Sequence, residues 1–486
     1  MKPNKPLQLL LLAAFLAIPA GVVRAAAPVP PARPNIVLIF MDDLGYGDIG
    51  PFGSKLNRTP ALDRMASEGT KLTSFYASPV CSVSRAQVMT GCYGPRVSLP
   101  GVLYPGQAIG ISAEEHTVAE LMRAQGYATM CIGKWHLGDS PEFLPTRHGF
   151  DHYFGIPYSN DMMKPRAGTT NRVVPLVRDE KVVELLDGAA QENLVRDYTA
   201  EAVNFIHANR QKPFFLYLPH TAVHTPVHPG KEFRGKSANG QFGDWVEETD
   251  WSVGRVLHTL RELKLAANTL VIFTSDNGPW LSQGKDGGTA GPLRGGKGST
   301  WEGGVRVPTI AWWPGKVPAG RATDTVAGTI DLLPTFVTLA GGVVPADKPI
   351  DGADISKLLF GQTEEAAREA HYFYNNYDLQ AVRSGPWKLA LVPQKFAMGV
   401  KDDAIRFAEN RPGLRLYNLA ADIGESKNVA AENPEVVARL KALADKMAAT
   451  LCDGSAKGPG VRPPGRVENP KGLYPMTSTK PKVKSP

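Results

Sequence analysis

Cysteine is scarce in this chain: four residues in 486 (Cys81, Cys92, Cys131 and Cys452), with no Cys-x-x-Cys pair. That excludes a disulfide-stapled scaffold and the paired thiols of zinc ribbons and thioredoxin-type redox sites. Cys131 lies in an apolar run and reads as a small buried hydrophobe. A Cys92–Cys131 bridge is left open. Long apolar runs are also missing after the N-terminus, so the sequence gives no membrane span. The one such stretch, residues 7–18, follows Lys2 and Lys5 and precedes the small-residue site Val23-Arg24-Ala25. Residues 1–25 therefore read as a cleaved signal peptide, and the mature protein as exported, periplasmic or secreted. A basic core is missing too. The formal charge is +7, but Lys2, Lys5 and Arg24 fall in the leader, and residues 455–486 hold seven basic side chains against one acid. The body between is slightly acidic, which excludes a nucleic-acid-binding core.

What is present is an alternation of apolar, β-branched runs with longer amphipathic stretches. Runs at residues 35–41, 128–132, 214–218, 270–274 and 309–312 read as buried strands. Stretches at 117–124, 198–208 and 244–263 read as helices, the last with Val253, Val256, Leu257, Leu260 and Leu263 on one face. The expected fold is α/β: a large, mainly parallel sheet sandwiched by helices over residues 33–360. Short strands at 371–377, 380–383 and 387–391, then a helix at 435–450, indicate a smaller C-terminal α+β domain over 361–454. Residues 455–486, rich in Pro, Lys, Ser and Thr, read as a disordered basic tail.

Polar residues gather just past the strand ends. Asp42-Asp43 follow the first strand, Lys134 and His136 the second, His220 and His224 the third, and Asp276-Asn277 the fourth. In open α/β sheets ligands bind beyond the carboxyl ends of strands, so these four groups converge on one edge. Each alone is a common turn or structural residue; shared placement gives them weight. Asp42, Asp43, Asp276 and Asn277 are hard oxygen donors suited to Ca²⁺, or less well Mg²⁺. With Lys134, Lys297, His136 and His224 they suit a dense oxyanion such as sulfate or phosphate. Lys297 lies in a glycine-rich loop that loosely matches a P-loop, but no strand leads into it, which argues against a nucleotide site.

On these residues the chain resembles the sulfatase family, of the arylsulfatase A and N-acetylgalactosamine-6-sulfatase type, within the alkaline-phosphatase-like superfamily. The resemblance is densest in Cys81-Ser82-Val83-Ser84-Arg85, Gly133–Gly138, His148–Asp151, Gly155–Ser159, Ser275–Gly278 and Lys297–Gly304, and runs from about residue 34 to 428. It implies that Cys81 is converted to formylglycine (3-oxoalanine) by a formylglycine-generating enzyme, and that the hydrated aldehyde is the nucleophile. It further implies that Asp42, Asp43, Asp276, Asn277 and the modified Cys81 hold one calcium ion, and that Arg85 steadies the hydrate. Lys134, Ser159 and Lys297 would hold the sulfate. His136 would assist the nucleophile, and His224 would protonate the leaving alcohol, with His220 ranked second. The implied substrate is an aryl sulfate or sulfated carbohydrate. Val83 departs from the family pattern, which has proline, or alanine in some bacterial forms, there, and the modifying enzyme is expected to read this segment extended. Competing readings are a phosphate mono- or diester or phosphonate hydrolase on the same scaffold, and a catalytically silent carbohydrate-binding homologue in which Cys81 stays a thiol. Loops at residues 98–111, 161–187 and 226–244 are expected to shape the pocket rim.

Overall fold

The computed structural model describes residues 1, 3, 33–166, 169–400, 412–454 and 456–474. Apart from Met1 and Pro3, the expected signal peptide lies outside the described residues, as do residues 475–486 of the expected tail. Among the described residues no helix is long and apolar enough to cross a membrane.

From Arg33 onward the chain builds an 11-stranded sheet. Five strands are mutually parallel: β1 (Asn35–Met41), β2 (Ala128–Ile132), β3 (His152–Gly155), β4 (Phe214–Pro219) and β5 (Thr269–Ser275). They lie side by side in the order β5-β1-β4-β2-β3. Their apolar runs do not alternate with polar residues because both faces are covered. In β1, Ile36, Leu38 and Phe40 enter one core with α1 (Cys81–Thr90), while Val37, Ile39 and Met41 enter the other with α2 (Leu194–Ala208) and α3 (Gly240–Glu262). The run at residues 309–312 forms β6 (Thr309–Trp312), which pairs antiparallel with β5, so the sheet is mixed at this edge. Helix starts differ from the sequence reading where capping decides them. The helix expected from residue 117 begins at Val118, because Thr117 is its cap: its hydroxyl accepts from Glu120 N at 3.2 Å, and the Glu120 carboxylate accepts from Thr117 N at 2.9 Å.

The C-terminal part is a separate antiparallel sheet in the order β7 (His371–Asn375), β8 (Asp378–Ser384), β9 (Trp387–Ala390) and β10 (Arg415–Asn418). Helix α4 (Pro434–Thr450) packs on it through Leu440 and Ala444. The Cys92–Cys131 bridge that the sequence left open is not formed; all four cysteines are free and buried. Nor is the tail disordered over residues 456–474: Gly465–Arg466 pairs with Ile109–Gly110, and Arg462 donates from Nε to Glu115 Oε1 at 2.7 Å and from Nη1 to the Pro349 carbonyl at 2.8 Å. The Arg462 fork on the buried Glu115 carboxylate, with backbone hydrogen bonds such as Arg462 N to the Arg96 carbonyl and Val467 N to the Ala108 carbonyl, holds a segment whose composition is that of a solvated chain.

Candidate active site

Parallel register brings the strand-end acids together. Met41 of β1 is level with Ser275 of β5, so Asp42 and Asp276 emerge side by side, and Asp276 N donates to the Met41 carbonyl at 3.0 Å. Beyond β2, Lys134 N donates to the Pro219 carbonyl at 2.7 Å, which ties its loop to the end of β4. Gly133 allows that approach. Its φ is +129°, and a Cβ there would stand 1.8 Å from the Pro219 oxygen. Two non-glycine residues, Asp43 (φ 60°) and His136 (φ 62°), also hold left-handed backbone. Such strain collects where side chains must be aimed.

Asp42 and Asp276 are fully buried, each beside a cation. Lys134 Nζ donates to Asp42 Oδ2 at 2.6 Å, and Arg85 Nη2 to Asp276 Oδ2 at 2.8 Å. Arg85 Nη1 donates to the Lys134 carbonyl at 2.6 Å, so one guanidinium joins the two loops. Burial pushes the Asp42 carboxyl up, but Lys134, His224, Arg85 and Lys297 outweigh it and hold it well below the usual carboxylate range. Asp276 goes the other way: burial, then the charge on Asp42, push it up to about 7 against the pull of Arg85. On the far side, Lys297 Nζ donates to Asp43 Oδ2 at 2.8 Å and lies 3.0 Å from His224 Nε2. Asn277 Nδ2 donates to Asp43 Oδ1 at 2.8 Å.

Asp42 Oδ1 and Asn277 Oδ1 are buried without a hydrogen-bond partner. Unpartnered buried oxygens are costly, and both belong to the oxygen-rich set. Ligand atoms of Asp42, Cys81 and Asp276 lie within 4.8 Å of one another, as do those of Asp42, Asp43 and His224. The two groups share Asp42, which makes one site. The donor set fits one hard divalent cation.

Cys81 is the first residue of α1 and is 2% exposed. Its Sγ lies 3.3 Å from His136 Nδ1, and burial raises its thiol pKa. His136 Nε2 lies 2.8 Å from the Leu103 carbonyl, which requires Nε2–H as donor and leaves the Nδ1 lone pair facing Cys81. Burial, then Lys134, hold His136 far below its ordinary value, hence neutral. His224 follows the same logic in reverse. Its Nδ1 lies 2.6 Å from the Thr225 carbonyl, so Nδ1 carries the proton and Nε2 accepts from Lys297. Burial, then Lys297, lower its pKa. Ser159 joins through Lys134 Nζ at 3.2 Å.

Cys81, Arg85, Lys134, His136, Ser159, His224 and Lys297 are thus brought together with Asp42, Asp43, Asp276 and Asn277. His220 is not among them. Its Nε2 lies 3.3 Å from Ser252 Oγ, and its ring packs against Tyr198. The segment from Cys81 onward is helical and wholly buried in the folded chain. Val83 is its third helical residue, a first-turn position where proline is also tolerated.

Sequence reasoning missed Trp280. Its ring lies 4.4 Å from Lys297 Nζ and 5.3 Å from the His224 ring. An aromatic four residues past Asp276 was the available signal. Leu103 acts through its carbonyl and left no signal. Also unread was the wall behind Lys297. Lys388 of β9 is fully buried; its Nζ donates to the Thr300 carbonyl at 2.8 Å and to Glu302 at 2.9 Å, and forms an ion pair with Glu425 at 2.9 Å. The small sheet thereby anchors the loop that carries Lys297. A cavity of about 580 Å³ opens beside Val80, the residue before Cys81, with Gly101, Val102, Tyr104, Gly298, Asn375, Asn376, Lys395 and residues 397–400 in its wall. Of the three expected rim loops only 98–111 contributes among the described lining residues; Val80 and Gly298 adjoin site residues, and the others come from the C-terminal part.

The sulfatase family profile matches residues 34–343, and that of the N-sulphoglucosamine sulphohydrolase C-terminal region matches 296–451. N-acetylgalactosamine-6-sulfatase of Canis lupus familiaris is 40% identical over 390 residues, which cover 76% of this chain and 73% of that protein. Human (Homo sapiens) arylsulfatase A is 40% identical over 466 residues, covering 88% and 89%. A sulfatase from Pseudoalteromonas sp. superposes with a TM-score of 0.77 at 27% identity, covering 86% of this chain and 90% of that one. Fold and site together define a hydrolase of alkaline-phosphatase-like architecture with its pocket at the carboxyl edge of the sheet. The chain belongs to the sulfatase family and is a sulfuric ester hydrolase.

Proposed function

We propose that this chain hydrolyses sulfate esters of carbohydrates or aryl alcohols, with formylglycine made from Cys81 as its nucleophile and one calcium ion as its cofactor. The carrying observation is the pair of orphaned oxygens, Asp42 Oδ1 and Asn277 Oδ1, facing a site that also holds Cys81 and two buried lysines. Asp42, Asp43, Asp276 and Asn277 would hold the calcium, which supplies positive charge to a sulfate oxygen and to the nucleophile. The aldehyde, when hydrated, supplies a hydroxyl nucleophile together with a second hydroxyl through which the sulfate is released.

The chain's own residues do the remainder. Lys134 and Lys297 neutralise the sulfate oxygens in a buried setting where each charge acts strongly. His136 Nδ1, held as a lone pair toward residue 81, takes a proton from that position. His224 Nε2 delivers a proton to the leaving alcohol. The arriving anion offsets Lys297 and raises the proton affinity that Lys297 otherwise suppresses. Because Cys81 is buried in a helix, its conversion precedes folding, when the segment is still extended. We further propose that residues 1–25 are a signal peptide and that the mature chain is exported.

Paired assays with an aryl sulfate and the matching aryl phosphate, with calcium removed and restored, test this reading. Calcium-dependent preference for the sulfate supports it. Preference for the phosphate would transfer the site to phosphoester hydrolysis.

A further inference from the structure

The cavity beside Cys81 begins one residue from the reacting groups: Val80 precedes Cys81, and Gly298 follows Lys297. At about 580 Å³ it is far larger than a sulfate group requires. Its polar lining is Tyr104, Asn375, Asn376 and Lys395, and no carboxylate is among the described lining residues. Tyr104 is 57% exposed, one of few large hydrophobic side chains so exposed. An open aromatic face at a pocket mouth is a platform for the C–H face of a sugar ring. Asn375 is fixed by donating from Nδ2 to the Gly298 carbonyl at 3.1 Å, which couples one reader of hydroxyl groups to the Lys297 loop. Lys395 is exposed and makes no hydrogen bond or ion pair among the described residues. An ammonium with no acid beside it among the described lining residues favours a ligand with negative charge beyond the ester under attack.

We infer that this cavity takes the sugar portion of an anionic glycan, with Tyr104 under a pyranose ring and Lys395 pairing a second negative group, either a uronate carboxylate or another sulfate. Lys395 is then a specificity-determining residue. This inference rests on the sulfatase reading above and deepens it.

The test compares kcat/KM of the wild type, Lys395→Ala, Lys395→Glu and Lys395→Arg on four probes. These are a neutral monosulfated disaccharide, a monosulfated disaccharide containing a uronate, a disulfated disaccharide, and 4-nitrocatechol sulfate. For at least one anionic disaccharide, the ratio of its kcat/KM to that of the neutral disaccharide is expected to fall about tenfold in Lys395→Ala and further in Lys395→Glu, and to be restored in Lys395→Arg. The probe that responds names the second anion. Unchanged ratios for both, with the wild type active, overturn the inference alone. A wild type inert toward every probe, 4-nitrocatechol sulfate included, overturns the sulfatase reading beneath it.

Discussion

Lys297 Nζ donates to Asp43 Oδ2 at 2.8 Å while lying 3.0 Å from His224 Nε2, so one ammonium touches both an acid of the metal set and the histidine assigned to the leaving group. Replacing Lys297 with Ala removes a buried ammonium to which we assign sulfate binding. We expect kcat/KM to fall by about 10²–10³, the loss seen when one preorganised donor is removed. The same change lifts the suppression of His224, because burial and then Lys297 are what lower its pKa. If protonated His224 is the acid, the alkaline limb of the residual pH–rate profile moves to higher pH. A profile that falls in amplitude without moving would remove His224 from that role.

The orphaned oxygens of Asp42 and Asn277 make a prediction about metal. A ligand that binds only the folded chain stabilises it, by about 2.7 kcal/mol at a hundredfold excess over Kd. Calcium should therefore raise the melting temperature of the chelator-treated protein, with magnesium less effective. Asn277→Ala should weaken this response, and Asp42→Asn should abolish it. Equal melting curves with and without calcium in the wild type contradict the assignment.

Arg85 is fully buried between the Asp276 carboxylate and the Lys134 carbonyl. Arg85→Ala leaves a buried acid without its partner, a change that costs about 3–5 kcal/mol. Denaturant unfolding should show that loss together with lost activity. Wild-type stability would assign Arg85 to chemistry alone.

The fold was legible because β1 is apolar on both faces, and a seven-residue strand with no polar alternation fits only a doubly covered sheet. Asp42, Lys134 and Asp276 were legible for the same reason, since each ends such a run. What the sequence concealed depends on contacts between distant segments. Asn375 and Lys395 line the cavity 295 and 315 residues beyond Val80. Lys388, Glu302 and Glu425 are far apart in sequence, and only folding brings them into one buried cluster. Arg462 and Gly465–Arg466 sit in a stretch of disordered composition, whose partners, Glu115 and Ile109–Gly110, lie more than 300 residues earlier. His224 ranks above His220 among the strand-end histidines, and the structure separates them: His224 meets Lys297, while His220 faces Ser252.

His220 supports a prediction about pH. Burial alone lowers it from 6.5 to about 3, and its neighbours Ser252 and Tyr198 carry no charge to offset that. Between these values the unfolded chain binds a proton that the folded chain refuses. The contribution of this group to stability is whole above 6.5 and is lost as pH falls toward 3. At about pH 5 the loss is on the order of 2 kcal/mol. His220→Gln should lose less stability than the wild type between about pH 7.5 and pH 5, measured by urea midpoints, and should retain activity. Parallel losses in the two proteins would show that His220 titrates normally in the fold.

The central claim is that Cys81 carries an aldehyde in the active protein. Peptide mass spectrometry on the segment containing Cys81, from protein made in its native host and treated with a hydrazide, measures this directly. The expected result is a peptide in which Cys81 is formylglycine and is trapped as the hydrazone, absent from a Cys81→Ala variant. A free thiol at Cys81 throughout the sample, in protein that still hydrolyses sulfate esters, would contradict it.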